Sequence, residues 1–140
     1  MIEPEGSGAA QIEGGCECGA VSYRVSGPFI YAGNCHCSRC RAATGSAFKP
    51  YAGIERSKLE LVCGEQRTMT VGEPNGHDVR CAECGSLLYS VVRGGEYVHV
   101  AMGSLRDAPG ISPRAHIYVG SKAPWFEITD DLAQFEELPD

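Results

Sequence analysis

Seven of the eight cysteines fall into three tight groups. Cys16-Glu17-Cys18-Gly19 is a C-x-C pair followed by glycine. Cys35-His36-Cys37-Ser38-Arg39-Cys40 is a C-x-C-x-x-C triplet, and Cys81-Ala82-Glu83-Cys84-Gly85 is a C-x-x-C-G knuckle. Thiolates two or three residues apart can grip one tetrahedral ion at about 2.3 Å. A following glycine permits a tight turn that brings backbone N–H groups toward sulfur. Two such pairs from distant parts of the chain would close a four-thiolate site, and the free energy of metal binding would then be folding free energy. The alternatives are disulfides or unrelated buried thiols. In a reducing compartment clustered cysteines point to metal instead.

The triplet is odd in number. Three ligands leave a fourth tetrahedral position open, which a catalytic zinc needs for water or a substrate thiol. A second structural site completed by Cys63 or a histidine is the closed alternative, and a redox pair at Cys37 and Cys40 is a third. Cys63 ends the apolar run Leu59-Glu60-Leu61-Val62 and reads as a small buried hydrophobe. His36 sits between two ligand positions and reads as their neighbour. Arg39 and Arg41 flank Cys40, where they could offset thiolate charge, bind a substrate carboxylate or simply face water. His99 and His116 lie in alternating segments and read as hydrogen-bonded structural histidines, and His77 follows a turn and reads as exposed.

The elements that must position these residues are short. Gly and Pro number 18 and 8 of 140, which favours turns over a helical bundle. Val21, Tyr23 and Val25 alternate with Ser22 and Arg24, the mark of a half-buried strand. Similar pieces lie at 47–51, 58–63, 67–71, 87–92, 96–102, 115–119 and 125–128, separated by turn clusters such as Gly72-Glu73-Pro74-Asn75-Gly76. Residues 38–44 suit a helical turn or two ending at Gly45. Residues 131–138 suit a short helix with Leu132, Phe135 and Leu138 on one face. The class is mainly β, with two small sheets sharing a core.

Composition excludes several functions. Twelve Lys and Arg against eighteen Asp and Glu leave a net charge of -6. An acidic domain suits a phosphate backbone poorly, so no nucleic-acid partner is expected. The N-terminal MIEPEGSGAA reads as a flexible lead-in over residues 1–10 rather than a secretory signal, and no apolar run is long enough to span a membrane. A cytoplasmic location follows as the expectation. GxSxG, GxxxxGK[ST] and HExxH motifs are absent. The aromatics Phe48, Tyr51, Tyr89, Tyr97, Tyr118, Trp125 and Phe126 read as core or cleft wall.

The three cysteine motifs in this order, with Gly15 and Ala20-Val21-Ser22-Tyr23 around the first, Arg41 after the second, and a late His116-Ile117 and Ala123-Pro124-Trp125-Phe126-Glu127-Ile128, resemble the glutathione-dependent formaldehyde-activating enzyme family. That family also includes centromere protein V-like proteins. The resemblance covers about Ile12 to Leu138 and places a single zinc-binding domain at 11–138. It implies a β-tent fold of packed antiparallel sheets and two zinc ions. Cys16, Cys18, Cys81 and Cys84 would hold a structural zinc, and Cys35, Cys37 and Cys40 a catalytic one. The implied reaction joins formaldehyde and glutathione as S-hydroxymethylglutathione, a carbon–sulfur lyase reaction run in reverse. The implied partners are a small-molecule thiol and an aldehyde. Arg80 departs from the family pattern, which commonly has an aromatic residue there, and Cys63 lies outside it. The competing reading is a non-enzymatic, zinc-stapled protein-binding module with a fourth ligand on the second zinc. Exposed strand edges would suit a homodimer.

Overall fold

Alternation of apolar and polar side chains decides where most strands lie. The computed structural model of the protein describes residues 11–139, so the expected lead-in over 1–10 falls outside the described residues. The described elements run β1 (Gln11–Gly15), β2 (Ser22–Ser26), β3 (Tyr31–Cys35), α1 (Ser38–Thr44), β4 (Lys49–Glu55), β5 (Leu59–Cys63), β6 (Thr68–Glu73), β7 (Gly76–Cys81), β8 (Leu87–Val92), β9 (Tyr97–Ala101), β10 (Ala115–Ile117) and β11 (Ala133–Gln134). They form a three-stranded sheet in the order β1-β2-β5 and an eight-stranded sheet in the order β11-β10-β3-β4-β9-β8-β7-β6. The expected mainly β class holds. The larger sheet is mixed, because β10 runs parallel to both β3 and β11.

The shared core follows from strand periodicity. Tyr23 and Val25 of β2 point inward while Ser22, Arg24 and Ser26 do not. In the larger sheet Ala52 and Ile54 of β4 and Val98 and Val100 of β9 face the same core. Val25, Val98 and Val100 are fully buried, each contributing roughly 1.5–3 kcal/mol. The opposite face of the large sheet presents Lys49 and Tyr51 from β4 and Tyr97 and His99 from β9. Tyr51 stacks on His99 at 4.3 Å between ring centroids, and the Arg93 guanidinium lies 5.0 Å from the Tyr31 ring centre.

Two expected elements are different. Residues 125–128 form a turn and irregular chain rather than a strand, with Trp125 70% exposed. Residues 131–138 do not form a helix. Ala133–Gln134 is instead a strand alongside β10, and the neighbouring backbone continues the attachment: Phe135 N–H donates to His116 O at 2.9 Å and Tyr118 N–H to Glu137 O at 3.0 Å. A helix would forfeit these bonds, and an eight-residue helix has little stability of its own. Cys63 is also corrected. It sits at the end of β5, an edge strand of the small sheet, and is exposed. His77 is half-buried rather than exposed, with Nδ1 2.7 Å from Glu73 O.

Candidate metal centres and active site

Both cysteine clusters are assembled at strand ends. β1 delivers Cys16 into a turn carrying Cys18, and β7 ends at Cys81 in a turn carrying Cys84. Gly19 and Gly85 adopt φ of 83° and 82°, the left-handed backbone conformation that closes each turn and that glycine adopts without strain. Backbone N–H groups then point at sulfur: Val21 N–H donates to Cys16 Sγ at 3.2 Å, and Glu83 N–H to Cys81 Sγ at 3.3 Å. The four sulfurs of Cys16, Cys18, Cys81 and Cys84 all lie within 4.8 Å of one another.

Two separations test the fit of a metal. Cys16 Sγ and Cys18 Sγ are 3.7 Å apart, and Cys18 Sγ and Cys81 Sγ are 3.8 Å apart. Sulfurs at ~2.3 Å from one tetrahedral ion must lie about 3.8 Å from each other. The cluster therefore has the spacing a zinc requires. The Cys84 thiol is pushed down to about 6, chiefly by its hydrogen bond with the Ser86 hydroxyl. The Cys18 thiol of the same cluster is pushed up instead, and a bound cation would favour the thiolate form at all four sulfurs.

The second cluster joins Cys35, at the end of β3, to Cys37 and to Cys40 of α1. The helix depends on this chemistry. It has seven residues and none is buried, so no apolar face holds it. Its N-cap is Cys37, whose sulfur accepts from Cys40 N–H at 3.3 Å, and it ends at Gly45 in the left-handed region. The Cys40 thiol is raised and the Cys35 thiol lowered, first of all by the hydrogen bond between them. Among the described residues no histidine, carboxylate or fourth cysteine joins this group, and Cys63 belongs to neither cluster.

His36 stands outside the cluster and is fully buried. Its ring lies 5.0 Å from that of Phe48 and 6.1 Å from that of Phe126. Its Nε2 is 2.8 Å from Nδ1 of His116, whose Nε2 is 3.0 Å from Asp130 Oδ2. The Asp130 carboxyl is held below its ordinary range, chiefly by the hydrogen bond from His116. Burial pushes the His36 pKa down to about 4. For two neutral rings one assignment satisfies the chain: His116 Nε2–H donates to Asp130, and His36 Nε2–H donates to His116. His36 Nδ1 is then a buried acceptor, and it has no partner. Asp130 carried no signal in the sequence, since an acidic residue near the C-terminal end has no periodicity or motif around it.

The remaining sequence candidates are placed as follows. Arg39 is exposed, while Arg41 is half-buried and its Nε lacks a partner. His99 Nε2 lies 2.8 Å from the Tyr31 hydroxyl, and burial pushes its pKa down to about 3. Arg80 sends Nη1 to Gly85 O at 2.8 Å and Nη2 to Ala43 O, so its guanidinium ties the knuckle of the first cluster to the helix of the second.

Fold and site together define a small mainly β domain built around two cysteine clusters of metal-ligand geometry. The profile of the glutathione-dependent formaldehyde-activating enzymes matches residues 11–121, and the chain belongs to that family. A curated relative from Halomonas elongata carries the same family's name and is 31% identical over 126 residues, covering 84% of this chain and 80% of its own. The crystal structure of a Rhodobacter sphaeroides protein is similar with a TM-score of 0.57 at 25% identity, covering 69% of this chain and 89% of that one.

Proposed function

We propose that the protein is a zinc-dependent carbon–sulfur lyase-type enzyme that combines formaldehyde with glutathione. The observation that carries this is the three-sulfur group of Cys35, Cys37 and Cys40, which among the described residues has no fourth protein ligand. A zinc held there would supply positive charge that keeps a thiol deprotonated and a vacant position to orient it. The substrate sulfur adds to the carbonyl carbon, a C–S bond forms as the C=O π bond breaks, and the oxygen takes a proton from solvent. Cys37 caps α1 and so orients Cys40, while the Asp130–His116–His36 chain fixes the segment between Cys35 and Cys37. The four-cysteine cluster holds β1 to β7 and plays the structural part.

The test compares Cys37→Ser with Cys84→Ala. Exchange NMR with 13C-labelled formaldehyde and glutathione should show the catalysed rate vanish in a folded Cys37→Ser protein, after subtraction of the uncatalysed addition. Cys84→Ala should lose its fold. Retention of fold and full rate in both would overturn the division of roles. Zinc per chain, measured before and after glutathione, should show two ions of which one is labile. A fourth protein ligand on the second zinc would support the binding-module reading, and its first candidate, Cys63, lies exposed on the edge strand β5 outside that cluster.

A further inference from the structure

The eight-stranded sheet ends at β6, and this edge lacks the features that blunt the others. β11, at the far end of the same sheet, has two residues. In the small sheet β1 is covered by the chain that follows β9: Arg106 N–H donates to Glu13 O at 2.8 Å, and Glu13 N–H to Asp107 Oδ2 at 2.8 Å. β5 is interrupted by a register shift where it pairs with β2. β6 runs from Thr68 to Glu73 in unbroken register with β7 and contains neither lysine nor proline. Its Met69 and Val71 are 44% and 54% exposed. A regular edge with open apolar side chains is a template for another strand.

The register fixes which backbone groups are free. Ala82 N–H donates to Arg67 O at 2.7 Å, which makes these two a hydrogen-bonded pair. Bonded pairs recur at every second residue of an antiparallel ladder. Met69, Val71 and Glu73 therefore bond to β7, while Thr68, Thr70 and Gly72 turn their N–H and C=O groups outward. Thr68 N–H is taken by Glu65 O in the preceding turn. The edge then offers both groups of Thr70, both groups of Gly72 and the carbonyl of Thr68.

These groups match a second copy of themselves. An antiparallel pairing about a two-fold axis at Thr70 sets Thr70 against Thr70, Thr68 against Gly72 and Met69 against Val71. The two Thr70 residues exchange both their bonds, and each Gly72 N–H meets Thr68 O of the partner subunit. Met69 and Val71 face each other as a non-hydrogen-bonded pair, where side chains approach most closely. Arg67 comes level with Glu73 of the partner subunit. Both side chains are exposed, and neither has an ion-pair partner among the described residues. Moving the axis to Met69 or Val71 would set Arg67 against Val71 or Asn75 and lose this charge match. Bonding, apolar contact and charge are thus self-complementary under one operation, as an isologous interface requires.

We infer that β6 is the interface of a symmetric dimer of this chain, joining two eight-stranded sheets edge to edge about an axis at Thr70. β3, which carries Cys35, lies toward the opposite end of the sheet, so the cysteine triplet stays open in the dimer. Paired edge strands bury less than a standard interface, so the association is of the weak, concentration-dependent kind. The inference does not depend on the proposed chemistry.

The test is sedimentation equilibrium of the full-length chain from micromolar to millimolar concentration, which should fit a monomer–dimer equilibrium. Arg67→Glu and Glu73→Arg each bring like charges together at both ends of the paired strands, and each should weaken the dimer at least fivefold. The double variant restores opposite charges and should regain the parent's affinity. Thr70→Pro removes an outward N–H and no bond to β7, so it should be a monomer with the parent's circular dichroism spectrum. A parent that stays monomeric throughout would overturn the inference. So would a dimer indifferent to the charge reversals, or a double variant no tighter than the single ones. If Thr70→Pro fails to fold, the charge variants decide, because both of their side chains are exposed.

Discussion

His36 and His116 share a buried hydrogen bond of 2.8 Å although 80 positions separate them in the chain. The bond joins the cysteine triplet's own segment to β10, which lies beside β3 in the large sheet. His116→Leu fills similar space yet leaves the His36 Nε2–H without an acceptor. A buried orphan donor costs about 1–3 kcal/mol, and urea unfolding with an unchanged slope should register a loss of that size. Asp130→Asn keeps an oxygen acceptor for His116 and should cost less than half as much. Equal losses in the two variants would contradict the direction of donation assigned to the chain.

Arg80 predicts coupling between the clusters. Its guanidinium reaches Ala43 on α1 and Gly85 in the knuckle, so Arg80→Ala removes one bond from each. Hydrogen bonds to charged groups contribute about 1.5–3 kcal/mol each when well formed. The expected result is a thermal midpoint lowered by several degrees, together with faster metal release to a chelator from both clusters. Faster release from the four-cysteine cluster alone would show that the helix does not feel the strut.

Cys37→Ser separates two duties of one sulfur. Serine is a strong helix N-cap, so α1 should persist while a metal ligand is lost. Zinc per chain should fall from two to one, with a circular dichroism spectrum close to the parent. Cys37→Ala removes the cap as well, and it should be less stable than Cys37→Ser by about 1 kcal/mol. Identical stabilities would mean that the cap contributes nothing.

His99 sets a difference in acid stability. Its pKa is pushed down to about 3 by burial, below the 6.5 of an unfolded histidine. Between those values the unfolded chain binds a proton that the folded chain does not. The neutral ring's contribution is therefore complete above pH 6.5 and declines as pH falls toward 3, by up to ~1.4 kcal/mol per pH unit. His99→Gln has no titrating ring, so the stability gap between parent and variant should shift in the variant's favour from pH 7 to pH 5. A gap that stays constant over that range would refute the buried neutral ring. Comparing the two proteins cancels the acid sensitivity of the shared cysteine clusters.

How far the fold was legible depended on whether side chains alternate. β2, β8 and β9 carry alternating or continuous apolar residues and were readable. β3, with Ala32, Gly33 and Asn34, has no apolar period. Its small residues are needed because Tyr51 lies against Gly33, where a Cβ would press on the tyrosine hydroxyl. β1 buries Ile12 as its one apolar side chain, beside two buried glycines, and β7 mixes Asp78 and Arg80 with a single buried valine. The segment 131–138 has helical spacing of Leu132, Phe135 and Leu138, yet Leu138 is 60% exposed, and backbone pairing with β10 prevails. The cysteine groups were readable because ligand spacing is local. That Lys49, Arg80 and Arg106 line one cavity was not readable, since they come from three unrelated segments.

The parallel placement of β10 against β3 has a consequence for how the chain comes into being. The triplet's cysteines lie within six consecutive residues. The strand and histidine that support them arrive some eighty residues later, and Asp130 later still. Contacts so far apart in sequence give a high contact order, which places folding in the slow, millisecond-to-second range. Throughout elongation the nascent chain carries reactive thiols with nothing behind them. The segment from β10 to Asp130 therefore determines when the reactive centre becomes a finished structure.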